Sequence, residues 1–256
     1  MIKSASMGAA SLLAAAIFAG PALADGMPSR GRIADAPGPR TCSTSGNVGF
    51  TTDYVFRGVS QSNENAAVQG GVDLTCGNWY AGVWGSSVDL GFDGSAEIDI
   101  YGGYKMTLGR FALDFGLIYY GYPGSQGSAD LDYLELKAAA STEVWKGGTL
   151  GGTVFYSPEY TGNTGAVTTL EGTLTQALPA VAIFSPTFSA TVGRSFFHDE
   201  DDSSYTYWNL GLTLGFREKW ALDLRYWDTD IDDGGFLGSS TFLADERFVA
   251  TLKYTF

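Results

Sequence analysis

Run after run of this chain alternates large apolar residues with small or polar ones, and that period of two fits strands rather than helices. In 109–120, Phe111, Leu113, Phe115, Leu117 and Tyr119 oppose Asp114 and Gly116. In 218–228, Trp220, Leu222, Leu224 and Tyr226 oppose Asp223 and Arg225. In 244–256, Phe248, Ala250, Leu252, Tyr254 and Phe256 oppose Val249, Thr251 and Lys253. Twelve such runs follow one another: 46–57, 65–75, 78–88, 95–107, 109–120, 131–141, 147–157, 166–177, 183–196, 204–215, 218–228 and 244–256. The breaks between them alternate in length. "CGN", "GR" and "REK" are tight, whereas "GVSQSNE", "GYPGSQGSAD" and "DTDIDDGGFLGSSTF" are long.

Two architectures satisfy a period of two. A water-soluble sandwich or lipocalin-like barrel points its apolar faces inward. A membrane barrel points them outward and closes on itself, because an unpaired strand edge is costly in lipid. Here the opposing face is rich in Gly and Thr with scattered charge, and the apolar face carries Phe, Leu, Trp and Tyr. Strands of this length, an even strand number, and short turns at one end with long loops at the other fit the membrane form. The expectation is an all-β, transmembrane, antiparallel up-and-down β-barrel of about 12 strands over 46–256, with Phe256 at the periplasmic rim. The first run is expected to stay in the wall to Arg57, with Tyr54 and Phe56 on the lipid side.

The segment before the barrel reads as an export signal. Lys3 precedes the apolar run "MGAASLLAAAIFAG", and Ala22-Leu23-Ala24 is a small-x-small cleavage site, so 1–24 is read as a signal peptide. Residues 25–45, rich in Pro, Gly and Ser, read as a flexible periplasmic leader. Loss of the signal removes Lys3 and no acid, which moves the net charge from −13 to −14. That balance opposes nucleic-acid binding, which needs clustered bases. Export permits a disulfide between the two cysteines. Cys42 precedes the first strand and Cys76 ends the second, and an antiparallel pair brings those points to the same end.

The stretch "TDYVFRGVSQS", followed by "WYAGVWGSSVDLG", "AEIDIYGGYKMTLGRFALDFGLIYYGYPG" and "YSPEYTG", resembles the TorF family of porins. The resemblance implies a bacterial outer-membrane location and a channel architecture. It brings no catalytic motif, cofactor or substrate. A last strand ending in Phe256 likewise resembles the recognition signal of outer-membrane barrels, which implies insertion by the barrel-assembly machinery.

Catalysis has little support in the residues. The lone histidine, His198, lies in "FFHDEDDSS" near Ser203 and Ser204 without a nucleophile–base context, so no enzyme is expected. "DTDIDDGG" looks like a calcium loop, but Asp233 and Ser239 hold the places where such a loop needs Gly and Glu, so no metal site is expected.

The alternation points to the barrel interior instead. It places Asp53, Asp73, Glu97, Asp99, Asp114, Glu135, Glu171 and Asp223 inside, with Arg57, Lys105, Lys137, Arg225, Arg247 and Lys253. Charge on the lipid face near mid-membrane would cost about 2–4 kcal/mol for Lys or Arg, which forces the central ones inward. Eight acids and six bases sum to −2, a mixed pore lining with a weak preference for cations. The long breaks add acids, among them Asp199, Glu200, Asp201, Asp202, Asp228, Asp230, Asp232 and Asp233, which would attract cations to the mouth. Expected partners are therefore outer-membrane lipid, lipopolysaccharide bridged by divalent cations, and small hydrophilic solutes. Two functions remain open: passive passage of such solutes, or a non-conducting structural or adhesion barrel acting through its loops. Aromatic girdles are expected at Tyr54, Phe56, Tyr119, Tyr120, Tyr156, Tyr205 and Tyr226 on the loop side, and at Trp79, Phe111, Trp145, Phe216, Trp220 and Tyr254 on the turn side.

Overall fold

The computed structural model describes residues 42–90, 95–125, 131–199, 203–231 and 243–256. Its elements are β1 (Cys42–Thr51), β2 (Val55–Phe56), β3 (Val59–Ser60), β4 (Ala67–Cys76), β5 (Trp79–Ser87), β6 (Ala96–Leu108), β7 (Phe111–Gly121), β8 (Tyr133–Trp145), β9 (Gly148–Ser157), β10 (Val167–Ala177), β11 (Phe184–Phe197), β12 (Tyr205–Phe216), β13 (Trp220–Thr229) and β14 (Arg247–Thr255). A 3-10 turn spans Thr161–Asn163.

Each alternating run contributes one wall strand, the first only as far as Thr51. β1 and β4 through β14 form a closed antiparallel barrel in which each strand pairs with its sequence neighbours and β1 closes against β14. The seam pairs Asn47–Thr51 with Thr251–Thr255. Gly46 and Phe256 extend it by exchanging backbone hydrogen bonds of 3.1 and 2.9 Å. The expected twelve-strand barrel is the observed fold.

The apolar residues of each strand form the outer surface. Val48 and Phe50, Ile98 and Ile100, Phe115 and Leu117, Leu134 and Leu136, Leu210, Leu224, Phe248 and Leu252 are all exposed. Their alternates point inward and are buried or half-buried. Glycine on the inner face has a specific role. Gly82 stands directly opposite Tyr101, and Gly193 opposite Tyr207. A Cβ at Gly82 would lie 2.5 Å from the Tyr101 ring, and one at Gly193 would collide with Tyr207. These glycines let tyrosine rings lie flat against the wall.

The first strand departs from expectation at both ends. It begins at Cys42, so Cys42–Ser45, assigned to the leader from sequence, already pair with Asp73–Cys76. It stops at Thr51 rather than Arg57, because the chain there turns into the lumen. The signal peptide, its cleavage point and the leader up to residue 41 lie outside the described residues.

Cys42 and Cys76 are register partners and form the expected disulfide, at the turn end of the barrel.

Candidate functional site

The interior is organised around a hairpin that belongs to no wall strand. Beyond Thr51 the chain folds back as β2 and β3, with Val55 paired to Ser60 and Phe56 to Val59. Arg57 (φ 48°) and Gly58 (φ 86°) make the turn. Positive φ at both central residues defines a two-residue hairpin of type I′. Gly58 is required a second way, since a Cβ there would collide with Thr229 and Tyr207 on the far wall. Asp53 ties the base of the hairpin. Its carboxylate accepts the hydroxyls of Ser60 (2.6 Å) and Ser62 (2.9 Å), and Arg247 of β14 donates to it at 3.0 Å.

The tip crosses the lumen. Arg57 donates two hydrogen bonds to Glu135 of β8, at 2.7 and 2.9 Å, with side chains 4% and 1% exposed. Its guanidinium carbon lies 4.7 Å from the ring centres of both Phe56 and Phe155. Tyr120 donates to the same carboxylate at 3.0 Å. Tyr54 donates to Glu97 of β6 at 2.9 Å and packs edge-on against Trp84. A chain of ring contacts runs on from Phe56 through Tyr120, Tyr133 and Tyr160 to Phe197. Tyr160, on the loop between β9 and β10, is held above its ordinary pKa chiefly by burial. Hairpin and rings together fill the loop-end part of the lumen.

Glu97 and Asp99 face inward from β6 and are fully buried. Among the described residues neither carboxylate oxygen of Asp99 has a hydrogen-bond partner, and neither does Oε2 of Glu97. Asp99 sits in register between Trp84 of β5 and Tyr120 of β7.

Toward the turn end, charges pair along the wall. Asp114 accepts from Lys137 (2.7 Å) and from the Tyr80 hydroxyl (2.8 Å), and Lys105 lies 4.6 Å from the Tyr80 ring centre. Glu171 accepts from Tyr207 at 2.6 Å and Asp73 from Tyr101 at 2.5 Å. Arg225 donates to Asp223, Asn209 and Ser189, and Thr213 donates to Asp223. Lys253 is 8% exposed on the inner face of β14. Lys105, Asp114 and Lys137 are half-buried rather than buried, so water reaches this part of the interior.

All fourteen charges assigned inward from sequence therefore face the interior, although Asp53 and Arg57 do so from the inturned segment and not from the wall. Of the loop acids, Asp230 accepts from the Thr206 amide at 2.5 Å, Asp228 from the Tyr226 hydroxyl at 3.1 Å, and Asp199 is exposed. Glu200, Asp201, Asp202, Asp232 and Asp233 lie outside the described residues. His198 sits 2.9 Å from the Thr168 hydroxyl, and Ser204 accepts from the Phe197 amide. Among the described residues no group of three or more His, Cys, Asp or Glu is placed to hold a metal. Four of the expected girdle aromatics, Tyr54, Phe56, Tyr120 and Tyr205, are buried inside instead.

The closed twelve-strand barrel is a fold that this chain shares with porins of known structure. The KdgM porin is 10% identical with a TM-score of 0.56, the match covering 83% of this chain and 99% of that one. KdgM in complex with disordered oligogalacturonate aligns at 9% identity and TM-score 0.54, over 84% of this chain and 99% of that one. The NanC porin aligns at 12% identity and TM-score 0.52, again over 84% and 99%. By sequence, the chain belongs to the Gcw_chp family of bacterial proteins of unknown function, whose model matches residues 34–256. No curated protein matches it.

Proposed function

We propose that this protein is an outer-membrane, porin-like channel for passive diffusion of small hydrophilic solutes, with a weak preference for cations. One observation carries the reading: a closed barrel that exposes Phe, Leu, Ile and Val outward and keeps ionisable groups inside. That polarity suits a hydrocarbon surround and a hydrated core. The resemblance to TorF porins supports it, as does the barrel shared with KdgM, whose complex with oligogalacturonate shows a hydrophilic guest. Delivery to the outer membrane by the barrel-assembly machinery is part of the same proposal. The loop acids would draw cations to the mouth and hold lipopolysaccharide through divalent cations.

The second reading, a non-conducting barrel acting through its loops, is favoured by the β2–β3 hairpin, which fills the loop-end lumen. Planar-bilayer recording separates the two. Stepwise conductance with a reversal potential on the cation side in a salt gradient is expected. Clear anion selectivity overturns the cation preference, and silence at all voltages favours the second reading.

A further inference from the structure

We propose that the inner wall formed by β6 to β9 is a binding site for organic cations bearing guanidinium or amino groups, and that Arg57 occupies it as a tethered stand-in. The proposal rests on the channel reading only for the ligand's access from the lumen.

The charge pattern of the wall carries it. Toward the turn end the ion pairs Lys137–Asp114 and Arg225–Asp223 lie between wall residues, and at the base of the hairpin Arg247 of β14 takes Asp53. Toward its loop end the wall of β6 to β8 presents three buried carboxylates, Glu97, Asp99 and Glu135, and among the described residues no wall cation bonds any of them. Among the described residues the cation that bonds one of them comes from the hairpin, as the guanidinium of Arg57 on Glu135. The contact has the form of ligand recognition. A planar fork meets one carboxylate with two parallel hydrogen bonds, and aromatic rings stand at cation–π distance. Phe155 and the Tyr120 hydroxyl, which hold ring and carboxylate in place, belong to the wall and stay when the hairpin leaves.

Arg57 does not use all of the site. Asp99 is fully buried with both oxygens unpartnered, and one oxygen of Glu97 is unpartnered too. Buried carboxylates in native proteins are hydrogen-bonded, paired or bound to a cation. Asp99 lies between Trp84 and Tyr120, the second of which also bonds Glu135, so the unfilled acids and the filled one share a side chain. A solute with two positive centres would satisfy both parts.

Arg57→Asn provides the test, because Asn before Gly suits a type I′ turn and keeps the hairpin while removing the charge. Agmatine, a guanidino-amine, is titrated into the purified barrel in detergent and followed by tryptophan fluorescence, with Trp84 beside the site, and by calorimetry. Agmatine is expected to bind R57N at least ten-fold more tightly than wild type, R57N/E135Q is expected to lose that gain, and galacturonate is expected to bind neither. Equal affinity of wild type and R57N, or a gain that survives E135Q, overturns the proposal and leaves Arg57 a structural brace. Should R57N refold poorly, millimolar agmatine is expected to restore the yield where sodium chloride of equal ionic strength does not, and equal rescue by the salt refutes it. Bilayer silence of both proteins would refute the channel and leave the binding result standing.

Discussion

Removing the disulfide gives the most direct measure of what holds the start of the barrel. Cys42 and Cys76 are 34 residues apart in sequence, and a cross-link over that span restricts the unfolded chain. The loop-closure relation gives about 12–13 cal/mol/K, or about 4 kcal/mol at 25 °C. There is also a local effect. β14 pairs with β1 from Asn47 onward, with Gly46 joined through Phe256, so among the described residues Cys42–Ser45 have β4 on one side and no strand on the other. The bond pins this half-paired overhang. The Cys42→Ser/Cys76→Ser barrel, refolded into the same vesicles and unfolded in urea under tryptophan fluorescence, is expected to lose about 3–4 kcal/mol. Amide exchange is expected to speed up at Ser43–Ser45 and to stay slow at Asn47–Thr51. Wild type under reductant should match the double variant. A loss below about 1 kcal/mol, or unchanged exchange in the overhang, refutes the reasoning.

Ile100, near the middle of β6 and 57% exposed on the outer face, reports the surrounding solvent. Ile100→Arg is expected to cost about 2–4 kcal/mol in the same vesicle assay, and a cost near zero would place water rather than hydrocarbon against that strand. Gly82→Ala would push the Tyr101 ring off the wall and break its bond to Asp73, with an expected loss of about 1–3 kcal/mol; a crystal structure of the variant with Tyr101 unmoved would count against the close fit.

The wall of the barrel was legible because one physical demand repeats. Each strand must show an apolar residue outside and a small or polar one inside, and Phe111, Leu113, Phe115 and Leu117 advertise it without help from distant residues. Strand pairing and the disulfide followed, since antiparallel neighbours fix which ends meet. The hairpin was not legible because its residues keep the same alternation. Thr52, Tyr54 and Phe56 continue the phase of Val48 and Phe50, and nothing local tells lipid from an aromatic-lined lumen. What turns them inward is the set of partners for Asp53, Tyr54 and Arg57. Those are Arg247, Glu97 and Glu135, between 43 and 194 residues away. A charge pattern shows that such residues avoid lipid. It does not show which acid meets which base across a lumen.

The seam between β1 and β14 also sets an order of events. Its ladder joins Asn47–Thr51 to Thr251–Thr255, and the hydroxyls of Thr51 and Thr251 meet at 2.8 Å across 200 residues of chain. The β10–β11 ladder, by contrast, runs over Val167–Ala177 with neighbours in sequence. Neighbouring hairpins can zip as soon as both arms exist, whereas the seam must wait for all twelve staves and is the slowest contact to find. Until it closes, the nascent sheet carries two raw margins of unsatisfied amides, each able to template pairing with another copy. The interval before closure is thus when this molecule is most exposed to aggregation. The short length of the seam makes it also the place where a finished barrel would first come apart.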